Sequence, residues 1–171
     1  MRILGFDPSS SITGWAVLDF AGGVPCLVTY GKFSLKPKLS MTAKLRGIEL
    51  EVSAILHNFN PDQVAYEEAY VRFIKAAMPL YRVHGALILT VDQFARTNGL
   101  DIEPVGVNVN TARKQLGITD KETARVLINK TFSREFGYED YDITDAIVIA
   151  WFAYTKIKTG ERKEVRRRKK G

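Results

Sequence analysis

The chain has 171 residues, 46% hydrophobic, 11% aromatic and 26% charged, the composition of a soluble globular protein about one domain long. One cysteine, Cys26, and two histidines, His57 and His84, exclude an internal disulfide framework and a cysteine–histidine zinc cluster. The N-terminus lacks the apolar core of a signal peptide, and no run reaches the roughly 18 apolar residues of a membrane span. The expected setting is a reducing, cytoplasmic compartment, with no membrane contact.

The net charge of +6 is unevenly spread. From Lys156 to Lys170, nine basic residues stand against two acids, which leaves the rest of the chain at −1. The expected organisation is therefore a folded domain over 1–158 and a basic, flexible tail over 159–171. An arm reading Arg166, Arg167, Arg168, Lys169, Lys170 suits a polyanion, most commonly nucleic acid, although a solubilising tail has the same composition.

In chain order, Arg2 to Phe6 is a short apolar run ending in Asp7-Pro8, where proline holds the preceding residue extended. A second extended run starts at Gly14, and after the turn Gly22-Gly23-Val24-Pro25 a third runs from Cys26 to Phe33. Three strands with short connections make an antiparallel meander. From Ser40 to Phe59, Met41, Leu45, Ile48, Val52, Ile55, Leu56 and Phe59 recur at helical spacing behind a serine N-cap. Pro61-Asp62 breaks that helix, and Gln63 to Tyr66 reads as a buried strand leading into Glu67-Glu68.

The next helix, up to Thr97, carries two apolar stripes. Phe73, Ala77, Leu80, His84, Leu87, Val91 and Phe94 form one; Ile74, Met78, Tyr81, Gly85 and Ile88 form the other. Pro79 is expected to start or kink it. Such a helix is buried on most sides or carries a partner interface. A strand over Leu100–Val107, two short helices divided by Gly117–Asp120, and a last helix over Asp142–Ile157 complete the order. A meander followed by alternation of strand and helix predicts a mixed α/β sheet covered by helices.

Four carboxylates stand where a site can form. Asp7 and Glu67 close two strands, and they share a sheet edge if those strands are neighbours. Asp142 and Asp145, three apart, share a helix face. No cation lies within a turn of any of them, so a cluster of these acids calls for a compensating charge, which a hard divalent cation supplies. Each residue also has a structural reading: a turn aspartate, an exposed glutamate pair, a helix cap.

In this order, Ile3–Val17 resembles the opening motif of RuvC-type Holliday-junction resolvases, and Pro61–Glu67 resembles that family's second motif. Tyr70 follows where the family has an aromatic residue. His84–Leu89 resembles its Arg-Gly helix segment, Ala112–Glu122 its basic DNA-contact region, and Asp142-Ile-Thr-Asp145-Ala146 its closing motif. The resemblance covers roughly residues 2 to 153. It departs at Ser9, where glycine is usual, and at Arg113, where lysine is usual; a phage- or plasmid-borne relative fits this divergence.

The resemblance implies a ribonuclease-H-like fold, with a mixed five-stranded sheet flanked by helices. It implies that Asp7, Glu67, Asp142 and Asp145 are the catalytic residues and bind two Mg²⁺ ions, Mn²⁺ substituting, without a small-molecule cofactor. One ion would activate the attacking water and the other stabilise the departing 3′ oxygen, leaving a 5′ phosphate and a 3′ hydroxyl. Arg113, Lys114 and Lys121 would contact phosphates, and Tyr70 would stack on an unpaired base. The partners implied are branched DNA, in recombination and repair, and a second copy of the chain paired through the stripe around Tyr81–Val91. Two other readings remain open: a non-catalytic junction-binding module, and a ribonuclease-H-like nuclease acting on RNA–DNA hybrids.

Overall fold

The computed structural model describes residues 1–68 and 74–159, with the backbone alone for 74–77. Tyr70 and Phe73, the side chains of Ile74 and Ala77, and all but the first residue of the expected tail lie outside the described residues. The elements are β1 (Arg2–Pro8), β2 (Ile12–Ala21), β3 (Val24–Ser34), α1 (Met41–Phe59), β4 (Gln63–Glu67), α2 (Ile74–Asn98), β5 (Val105–Val107), α3 (Val109–Gln115), α4 (Lys121–Phe132), a 3₁₀ turn (Tyr138–Asp140) and α5 (Tyr141–Lys158).

The five strands form one sheet in the order β3-β2-β1-β4-β5. The meander β1–β3 is antiparallel, while β4 joins β1, and β5 joins β4, in parallel. This is the ribonuclease-H-like arrangement expected. The central strand β1 is buried along nearly its whole length, which is why Ile3 to Phe6 carries no alternation of polar residues.

Strand alternation divides the core between the two faces. Ile3, Ala16, Leu18, Ala65 and Val107 face α5, whose residues from Ile143 to Ala150 are all buried. Leu4, Phe6, Val17 and Val64 face α1 and α2 through Ile48, Val52, Leu56, Leu87 and Val91. Helix α1 begins as expected, with the Ser40 hydroxyl accepting from the Ala43 N–H at 3.2 Å. It stops at Asn60, which takes the left-handed conformation at φ 43° that asparagine tolerates ahead of Pro61.

One expectation is corrected. The strand over Leu100–Val107 is only Val105–Val107: Pro104 has no N–H for a ladder bond, pairing with β4 begins at Ala65↔Val105, and Ile102 is buried instead under the α1–α2 side. Of the two places expected for Pro79, at the start of the helix or within it, the structure has the second, and Met78 and Tyr81 are exposed. Of the first stripe on that helix, His84, Leu87, Val91 and Phe94 are buried; of the second, Gly85 is exposed and Ile88 half-buried, and Leu89 beside them is exposed. No helix among the described residues is long and apolar enough to cross a membrane.

Candidate active site

Parallel pairing decides the first half of the site. Phe6 of β1 lies opposite Tyr66 of β4, so the next residue on each strand, Asp7 and Glu67, emerges at the same sheet edge. Alternation puts Glu67 on the side of Ala65, facing α5, and its side chain hydrogen-bonds with that of Asp7. Glu68 is exposed, its side chain lies against Gly106, and its N–H donates to the Val107 carbonyl at 2.8 Å. The structure thus places Glu67, and not Glu68, beside Asp7.

Glycine decides the second half. A Cβ on Gly5 would stand 2.2 Å from the Ala146 carbonyl oxygen, and a Cβ on Gly14 would stand 2.2 Å from that of Asp142. Only bare backbone lets α5 approach the sheet this closely. Gly14 is also the register partner of Asp7, so the first turn of α5 is pressed against the strand pair that carries Asp7. Asp142 and Asp145 are thereby brought to the Asp7–Glu67 edge.

The electrostatics follow from this crowding. Burial and the neighbouring acids Glu67, Asp145 and Asp142 push the Asp7 carboxyl up to about 9, so it holds a proton at neutral pH. Asp142 is also raised, by burial first and then by Asp145 and Glu67, against the opposing pull of Lys121 and Lys32. Asp145 is 2% exposed and accepts from two cations: one oxygen takes a short charged bond from the Arg113 guanidinium, and the other lies 3.1 Å from Lys121 Nζ. Burial works against the charge of Lys121, but Asp145, and more distantly Asp7, outweigh it and raise its pKa.

The expectation that no cation lies within a turn of these acids holds, but the fold brings two cations to Asp145 from a distance. Neither is within a turn; they arrive from α3 and α4, 32 residues away in the case of Arg113. Of the residues expected on DNA, Arg113 is buried against Asp145, Lys121 is half-exposed at the same carboxylate, and Lys114 is exposed on α3. Sequence reasoning missed the residues around these cations. Asn110 Oδ1 accepts from Arg113 Nη1 at 3.2 Å. Glu122 joins Arg125, at 3.0 Å from its Nε, to the Tyr141 hydroxyl at the same distance. The i,i+3 spacings Asn110–Arg113 and Glu122–Arg125 are visible in the sequence; their position beside the acids is not. His84 is also drawn in, with its ring 5.5 Å from that of Tyr66; burial holds its pKa below the usual value.

As donors for a metal the four acids fit a hard divalent cation: all are carboxylate oxygens, and their mutual repulsion is relieved at Asp7 by a proton, where a cation would serve equally. Among the described residues, no group of three or more His, Cys, Asp or Glu side chains is arranged to hold an ion as it stands.

Residues 3–152 match the family model described as Crossover junction endodeoxyribonuclease RuvC. Curated relatives bearing that name are 31% identical over 153 residues in Prosthecochloris aestuarii, covering 88% of this chain and 79% of the relative. Another, from Magnetococcus marinus, is 30% identical over 135 residues, covering 75% of this chain and 73% of that one. Among solved structures, Thermus thermophilus RuvC superposes with a TM-score of 0.76 at 21% identity over 94% of this chain and 97% of that one. The same protein in complex with a Holliday junction substrate gives 0.74 at 22%, with the same coverage of both chains. The structural likeness establishes the fold and the sequence match the lineage: the chain belongs to the crossover junction endodeoxyribonuclease RuvC family.

Proposed function

We propose that this chain is a metal-dependent endonuclease that resolves four-way junctions or related branched DNA by symmetric nicking, leaving 5′-phosphate and 3′-hydroxyl ends. The observation that carries the reading is the hydrogen-bonded pair Asp7–Glu67 at one sheet edge, with Asp142 and Asp145 held against it by glycine contacts. Asp7, Glu67, Asp142 and Asp145 hold the metal, two Mg²⁺ ions with Mn²⁺ as a substitute. When bound, the ions supply activation of the attacking water and neutralisation of charge on the departing 3′ oxygen. The buried position of Asp7 makes the charges nearest it count for more than they do in solvent. Arg113, Lys114 and Lys121 orient the phosphate backbone, and Tyr70 stacks on an unpaired base near the crossover.

A junction has near two-fold symmetry, which a homodimer matches by presenting two sites to strands of like polarity. The exposed side chains of Met78, Tyr81 and Leu89 on α2 support a second copy as the partner of that face. The basic segment after residue 159 adds affinity for any DNA without reading its geometry. Incubation with Mg²⁺ and, in parallel, a four-way junction, a duplex and an RNA–DNA hybrid tests the reading: paired nicks confined to the junction are expected. Cutting of the hybrid alone would instead favour a ribonuclease-H-type activity, and tight junction binding with no cutting a non-catalytic module. Light scattering at micromolar concentration should give twice the chain mass.

A further inference from the structure

Asp145 is the most heavily neutralised of the four acids. Its side chain is 2% exposed, and its two oxygens are shared between Arg113 and Lys121. The Arg113 side chain is itself 8% exposed; Nη1 is taken by Asn110, and Nε is buried with no hydrogen-bond partner among the described residues. Lys121 is 51% exposed and opens α4 directly behind its N-cap, Asp120, so its head can leave Asp145 at small conformational cost. Two short helices thus bring two cations onto one carboxylate that the proposed nuclease needs for metal.

A carboxylate engaged this way cannot also offer its oxygens to a divalent cation. Nor can the pair simply part, because a buried charge left without a partner is strongly disfavoured. If only metal arrives, Asp145 is satisfied but buried Arg113 is stranded. If only a phosphate arrives, Arg113 and Lys121 are satisfied but Asp145 is left beside Asp142, Glu67 and Asp7. When both arrive, every charge exchanges one partner for another, and the unpaired donor at Arg113 Nε gains an acceptor. Metal and DNA therefore assist each other, and by thermodynamic reciprocity each raises the affinity of the other by the same factor.

We propose that Arg113 and Lys121 clamp Asp145 in the DNA-free protein and release it to metal when they take up DNA phosphates, so that metal loading is coupled to DNA binding. This rests on the assignment of Asp145 as a metal ligand. In it Arg113 and Lys121 are positioning residues for the metal site as well as phosphate contacts.

The test is Mn²⁺ binding to the EDTA-stripped full chain, followed by the electron paramagnetic resonance of free Mn²⁺. It is run without DNA and with a four-way junction carrying non-hydrolysable linkages at the crossover. For the parent chain, the junction should tighten Mn²⁺ binding by about 5- to 150-fold, the usual range of such couplings. Lys121→Gln and Arg113→Gln should tighten Mn²⁺ binding without DNA and shrink the effect of the junction. Lys121→Gln, at a half-exposed position, keeps the test available if Arg113→Gln fails to fold. Unchanged or weaker Mn²⁺ binding in Lys121→Gln without DNA would overturn the clamp. Asp7→Asn separates the two levels: if it weakens Mn²⁺ binding while Lys121→Gln fails to tighten it, the metal site stands and the clamp falls. If Asp7→Asn leaves Mn²⁺ binding unchanged, the metal-site assignment falls and takes the clamp with it.

Discussion

Replacing Asp7 by asparagine is expected to stabilise the metal-free protein at neutral pH. The carboxyl has an ordinary value of 3.8 and is pushed up to about 9 in the fold by burial and by Glu67, Asp145 and Asp142. A group whose folded value is raised contributes stability that is fully present below its unfolded value and is lost as pH rises through the folded value. For Asp7 the loss runs from about pH 4 to about pH 9. Each pH step is worth 1.36 kcal/mol, so between 3.8 and pH 7 the ceiling is about 4 kcal/mol. Asparagine has the shape of the protonated acid, can still donate to Glu67, and takes up no proton. Allowing for solvent near half-buried Glu67, a gain of roughly 2 kcal/mol, or about 4–8 °C in Tm for a chain of this size, is expected at pH 7. Thermal unfolding in EDTA from pH 4 to pH 9 measures it, and the gain should vanish toward pH 4. Saturating Mg²⁺ should reverse the order of the two proteins, because the parent acquires a ligand that the variant binds poorly. A loss of stability in Asp7→Asn at pH 7, or a gain independent of pH, would refute the claim that these acids crowd one another.

The neighbouring substitution Asp145→Asn should do the opposite in EDTA, lowering stability by about 3 kcal/mol by calorimetry, because it strands buried Arg113; cleavage should fall by several orders of magnitude. Gly14→Ala would set a Cβ 2.2 Å from the Asp142 carbonyl oxygen. It should cost about 3 kcal/mol in chemical denaturation and most of the junction-cutting rate, with the chain still folded. Glu67→Gln should abolish Mg²⁺-dependent nicking in a gel assay, whereas Glu68→Gln, an exposed residue against Gly106, should retain it.

Whatever depends on near neighbours along the chain is legible in the residues alone. The apolar run ending at Asp7-Pro8, the serine-capped repeat from Met41 to Phe59, the break at Pro61-Asp62 and the end of the next helix near Thr97 follow from backbone preference and the burial of one face, and they appear in the fold with ends displaced by a residue or two. The boundary that failed most, at Leu100–Val107, failed because strand length is set by the partner strand rather than by local preference. Asp142 and Asp145 shared a face by helical spacing alone.

The surroundings of the acids come from contacts between elements distant in the chain. Parallel pairing of β1 with β4 made Asp7 and Glu67 neighbours, and alternation from Ala65 distinguished Glu67 from Glu68. The clearances at Gly5 and Gly14, which set how near α5 comes, involve partners more than a hundred residues away. The exchange of Asp145 with Arg113 and Lys121 was likewise invisible in the one-dimensional pattern. Coulomb energy and desolvation depend on distance through space, and in this chain the charges that matter to one another are brought together by the packing of α3, α4 and α5 on the sheet rather than by their spacing in sequence.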